Sequence, residues 1–95
     1  MKKYEVMYIV RSTLEAEAVA KEVKSVNEIF TNNGSKVLEV NEWGLRELAY
    51  EIEKMRKGYY VVLTVEATVE AVNEFNRLAR INENIIRYIV VNAAE

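Results

Sequence analysis

The sequence predicts an α+β two-layer sandwich: a four-stranded antiparallel sheet with two helices on one face. Three observations carry this. Segments 4–10, 35–53, 58–66 and 85–92 alternate or run apolar as strands do. Segments 12–32 and 68–80 instead repeat apolar residues at helical spacing. The order is therefore strand, helix, strand, strand, helix, strand. Two strand–helix–strand units with right-handed crossovers, joined by a hairpin, give the βαββαβ, ferredoxin-like arrangement.

In the first strand Tyr4, Val6, Tyr8 and Val10 share one face, and Glu5, Met7 and Ile9 the other. Both faces are largely apolar, as in a central strand covered on both sides. Ser12-Thr-Leu-Glu15 is a capping-box pattern, so the first helix is expected to start there, with Leu14, Val19, Val23, Val26 and Phe30 inward and Ile29 widening the stripe. Asn33-Gly34 ends it in the left-handed conformation that glycine accepts.

The second strand is long and bulged at Gly44. Leu48, Tyr50 and Ile52 alternate along it and are expected in the core, where Leu48→Ala would cost about 2–5 kcal/mol. Gly58 is expected to supply the positive φ of the hairpin. The third strand turns Tyr59, Val61, Leu63 and Val65 to the core and Tyr60, Val62 and Thr64 away. Thr68 caps the second helix, with Val69, Val72, Phe75 and Ala79 inward. In the last strand Ile86, Tyr88 and Val90 point in, opposite Arg87, Ile89 and Val91.

Composition narrows function. Residues 1–95 are expected to form one domain, with a hydrophobic fraction of 51% that excludes disorder. The chain has no cysteine and no histidine, so a thiolate metal site is ruled out and the commonest general base is missing. No catalytic residue, metal site or cofactor is expected. Gly34, Gly44 and Gly58 are its only glycines, and none sits in a phosphate-cradling loop. Arg11-Ser-Thr-Leu14 is not the glycine-rich loop of an acylphosphatase-like hydrolase, and Lys57-Gly-Tyr-Tyr-Val61 is not the third-strand motif of an RNA-recognition domain. The start lacks a signal peptide's apolar run, and no segment is long and apolar enough for a membrane span, so a cytoplasmic protein is expected. The net charge of −2 argues against gripping nucleic acid with the whole surface; contact would come from local clusters.

Two helices cover one face of a sheet. The same parity leaves Met7, Ile9, Tyr60, Val62, Ile89 and Val91 on the other, an apolar patch on the order of several hundred Å², large for a monomer. A protein-binding surface is the expectation. Shielding by long charged side chains and C-terminal residues, or use of the face only for a homodimer of the isolated chain, is the alternative.

The stretch Gly44-Leu-Arg-Glu-Leu-Ala-Tyr-Glu-Ile52 followed by Gly58-Tyr-Tyr60 resembles the central signature of bacterial small-subunit ribosomal protein six. The opening Lys3-Tyr-Glu-Val-Met-Tyr-Ile-Val-Arg11, the segment Asn73-Glu-Phe-Asn-Arg-Leu-Ala-Arg80 and the ending Asn84-Ile-Ile-Arg-Tyr-Ile-Val-Val91 are similar to the same family in order and spacing. The resemblance implies a non-enzymatic role on the platform of the small subunit. There the family binds the central domain of 16S ribosomal RNA together with ribosomal protein eighteen.

Position by position, the resemblance implies RNA backbone contact by Lys2, Arg46, Arg80 and Arg87, with Lys54, Arg56 and Lys57 as a further cluster at the hairpin tip. For each, a solvated surface charge is an equal alternative. Tyr4, Tyr50 and Tyr88 are expected to fill the core. Glu47 stands where the family has a basic residue, Ser12 where it has proline, and Asn92 where a basic residue is common; the family's charged tail is also expected to be missing. With the absence of proline, these departures mark a diverged or idealised version of the pattern, and fewer cations weaken the counterion-release contribution to RNA affinity. The competing function is a ferredoxin-like protein-interaction or dimeric regulatory module without RNA binding.

Overall fold

The computed structural model describes residues 1–52 and 54–93. The elements are β1 (Lys2–Arg11), α1 (Ala16–Asn32), β2 (Lys36–Ile52), β3 (Met55–Ala67), α2 (Val69–Ile81) and β4 (Ile85–Asn92). The strands form one antiparallel sheet in the order β2-β3-β1-β4. The βαββαβ architecture read from the sequence is present.

Register explains what each face holds. Across the sheet, Val40, Leu63, Val6 and Val90 form one row, and Val61, Tyr8 and Tyr88 lie in the next. Val6, Tyr8, Val61 and Leu63 are buried and pack with Val19, Val23, Val26 and Phe30 of α1 and Ala71, Phe75 and Ala79 of α2. At the centre, the Phe75 ring stacks on Phe30 at 5.6 Å, meets Tyr88 edge-on at 5.9 Å and lies 6.4 Å from Tyr8. Such offset and edge-to-face contacts add to the area that the rings remove from water.

Helix ends follow local chemistry. The Thr68 side chain accepts a bond from the Ala71 amide at 3.1 Å, as expected of a cap. At the end of α1, Gly34 has φ +74°; the Ser35 amide donates to the Phe30 carbonyl at 2.9 Å and the Gly34 amide to the Thr31 carbonyl. This is a Schellman motif. The capping box at Ser12 does not form. β1 runs on to Arg11, whose amide donates to the Asn84 carbonyl, and the N-cap is Glu15, without a side-chain cap bond. Ser12 lies in a turn, and Leu14 reaches the core from before the helix.

Four other expectations change. Val69 is exposed, and Ala71 takes its place in the core. A shift of register between Ile9 and Val10 sets Ile85 opposite Val10, so Ile85 rather than Ile86 is the buried residue. Gly58 does not make the turn: it lies within β3, and Lys54 carries the positive φ of 68°. Glu53, near the expected end of the second strand, lies outside the described residues.

The fourth change positions the site. β2 departs from plain alternation three times, between Val37 and Glu39, between Glu42 and Gly44, and between Glu47 and Ile52. In the last departure Leu48 to Glu51 lie opposite Arg56 alone, because Glu47 pairs with Lys57 and Ile52 with Met55. That excursion takes Leu48, Tyr50 and Ile52 away from the helices. They line a groove of ≈ 180 Å³ with Met7, Ile9, Tyr60 and Arg87, on the sheet's other side. Tyr50 is exposed and Leu48 half-buried. Leu48→Ala is therefore expected to fall at or below the low end of the range for a core leucine, about 2 kcal/mol.

The core holds one misfit. The Tyr8 hydroxyl is buried without a hydrogen-bond partner among the described residues. Burial, with smaller contributions from Glu42 and Glu22, pushes its pKa well above the ordinary value of 10.0. In the unfolded chain this phenol ionises near pH 10; in the folded chain it stays protonated. Its contribution to stability is thus fully present below pH 10 and is lost as pH rises toward the folded value, at about 1.4 kcal/mol per pH unit. Tyr8→Phe is expected to abolish that slope in urea melts at pH 9 to 11, and to raise stability at pH 7 by about 1 kcal/mol by removing an unbonded buried hydroxyl.

Candidate nucleic-acid and protein interface

The face without helices carries rows set by the same register. Val62, Met7 and Ile89 lie side by side across β3, β1 and β4, with Asn41 continuing the row onto β2. The next row is Gly44, Tyr60, Ile9 and Arg87. Ile89 and Val91 are 48% and 44% exposed, and Met7 and Val62 are half-buried. Ile89 and Val91 keep the accessibility expected of them, and Met7 and Val62 keep part of it. Ile9 does not: at 3% exposed it is covered on the groove side, beside Leu48. The excursion in β2 closes that corner of the face, which single-strand parity could not foresee.

Tyr60 is half-buried and stacks under Trp43, with ring centroids 6.2 Å apart and planes inclined by 11°. Trp43 is the extra residue of the second bulge, where Gly44 supplies φ +81°. Bulges re-aim side chains in this way. The Arg46 guanidinium lies 5.2 Å from the Trp43 ring centroid, and its Nε donates to the Trp43 carbonyl. Sequence reading found the bulge at Gly44 but gave Trp43 no role. The signal was there: a lone tryptophan immediately before a bulge glycine, three residues ahead of an arginine.

The basic residues gather unevenly. Arg46 lies opposite Gly58, and Arg87 opposite Ile9, near one end of the sheet. Lys54, Arg56 and Lys57 belong to the hairpin that extends from that same end. Arg87 sits 5.4 Å from the centroid of the exposed Tyr50 ring, so Tyr50 is a partner of the basic cluster and not a core residue. Arg56 faces Glu51 at 3.6 Å, and Lys57 pairs across the ladder with Glu47. The Arg56–Glu51 pair is exposed and therefore weak. Arg80 closes α2, where a cation also favours the helix dipole. Lys2 starts β1, roughly 30 Å of extended strand from Arg11. Lys2 is therefore not brought together with the others.

Near that end Glu22 of α1 accepts bonds of 2.8 Å from both Asn82 and Asn84. These bonds fix the turn that delivers β4, and with it Arg87. Among the described residues no group of acidic side chains could hold a metal ion, and no helix is long and apolar enough to cross a membrane.

A family model described as Ribosomal protein S6 matches residues 3–92. Among solved structures, 30S ribosomal protein S6 from Thermotoga maritima is similar over 96% of this chain and 86% of that one, at 27% identity and a TM-score of 0.91.

Proposed function

The chain belongs to the ribosomal protein S6 family and is a small-subunit ribosomal protein, and from that premise we propose a structural, non-catalytic role with two contacts. Arg46, Arg87 and the hairpin cations Lys54, Arg56 and Lys57 bind the backbone of the central domain of 16S ribosomal RNA, with Arg80 and Lys2 as outlying contacts. Met7, Val62, Ile89 and Val91 receive ribosomal protein eighteen. Ile9 is left out of this surface because it is covered, and Tyr60 because Trp43 stacks on it. The protein acts at the ribosome.

The observation that carries the reading is that Arg46 and Arg87 share a sheet face with a partly exposed apolar row, and that the hairpin cations extend from the same end of the sheet. Arginine forks suit phosphate oxygens, and an apolar row of this kind is what a partner protein removes from water.

A central-domain RNA fragment is expected to bind far better in the presence of ribosomal protein eighteen, with affinity falling as salt rises. Arg87→Ala is expected to reduce the slope of log affinity against log salt by about one. Filter binding across a salt series, with and without the partner, checks both. Salt-insensitive binding, or none with partner present, counts against the reading. A concentration-dependent mass with no RNA affinity points to a dimeric module instead.

A further inference from the structure

We propose that Trp43 and Arg46 form a stacking site for one unpaired nucleobase of the bound RNA, with Arg46 serving the adjoining phosphate. The inference rests on the RNA-binding reading above and adds to it a ligand group and a site.

The chain exposes 47% of its single tryptophan. Leaving that much aromatic surface in water is unfavourable, and the bulge at Gly44 is what puts it there. The ring is held in place: Tyr60 lies beneath it in near-parallel stacking, and Tyr60 is fixed by its place in β3. The guanidinium is fixed as well. Its Nε is occupied by the Trp43 carbonyl at 3.4 Å, which leaves the terminal nitrogens of an exposed arginine for an anion. The part of the Trp43 ring left exposed by Tyr60 and Arg46 offers a surface for a base, and the terminal nitrogens of Arg46 a fork for a phosphate, the two parts of a nucleotide.

The surroundings favour RNA over protein. On this part of the face Arg46 lies opposite Gly58, with Tyr60 diagonal to it beside Gly44, and neither is acidic. Glu42 and Glu47 alternate to the helix side, opposite Val61 and Lys57. Base stacking requires an unpaired nucleotide, so the ligand is a loop or bulge and not a continuous duplex.

Because Trp43 is the only tryptophan, its fluorescence reports on this position alone. The full-length protein is titrated with the central-domain RNA fragment in the presence of ribosomal protein eighteen, after the fluorescence change due to that partner has been recorded. Stacking predicts a further quenching on RNA addition. It also predicts that Trp43→Leu weakens RNA binding about 10- to 100-fold with the salt slope unchanged, and that Trp43→Phe restores most of the affinity. Circular dichroism melts of both variants are expected to match wild type, since residue 43 lies outside the buried core.

Salt-dependent binding without quenching, and with Trp43→Leu equal to wild type, overturns the stacking site while RNA binding stands. Quenching by the protein partner alone, with no RNA-dependent change, also overturns it and assigns Trp43 to the protein interface. No binding by any variant, wild type included, removes the RNA reading on which the site depends.

Discussion

Phe75→Ala is expected to destabilise the fold by about 3–5 kcal/mol, a large share of the total for a chain of this length. Phe75 is fully buried, and its ring lies against those of Phe30, Tyr8 and Tyr88. Phe30 comes from α1, Tyr8 from β1 and Tyr88 from β4, so truncation opens a cavity at the junction of both layers. The neighbours cannot collapse into it without leaving their own row partners, which keeps the cavity contribution near the top of its range. Phe75→Leu keeps most of the apolar volume and is expected to cost less than half as much. Urea unfolding with a shared m-value checks both. A loss under 1 kcal/mol for the alanine variant would mean that the two layers do not share one packed centre.

The sequence made the layers legible because β1, β3 and the two helices keep one period from end to end. Val6, Tyr8, Val61, Leu63 and Phe75 were placed by alternation or helical spacing alone, and all are buried. β2 was not legible in the same way. Its three register shifts each change which side the next residue faces, and an apolar residue sits at every shift: Leu38, Trp43 and Leu48. Parity read backwards from Leu48, Tyr50 and Ile52 therefore assigned them to the wrong layer. A glycine marks the second shift; the excursion after Glu47 has none, and nothing local announces it. Lys54, Arg56 and Lys57 were legible as a cluster at the hairpin tip, but their approach to Arg46 and Arg87 was not, since only the ladder brings these to one end.

Gly58→Ala tests whether that excursion is built into the fold. At an ordinary position in a strand interior, replacing glycine by alanine is favourable by about 0.5–1 kcal/mol, because glycine loses the most freedom on folding. At Gly58 the added methyl would run into Ile9 Cγ2 and would also touch Leu48 Cδ2 at 3.5 Å. Ile9 is buried and β-branched, so its Cγ2 moves only if χ1 leaves its well or the backbone shifts. The substitution is therefore expected to destabilise by about 1–3 kcal/mol, the range for overpacking. In an Ile9→Ala background the obstructing methyl is gone, and the same change is expected to cost less than about 0.5 kcal/mol. The difference is the coupling energy of the pair. Additive effects would show that the β2 excursion does not press Ile9 against the glycine. A coupling above 1 kcal/mol would instead establish that glycine stands at this position to make room for Ile9 beside Leu48. The boundary of the apolar row would then be drawn by packing inside the chain.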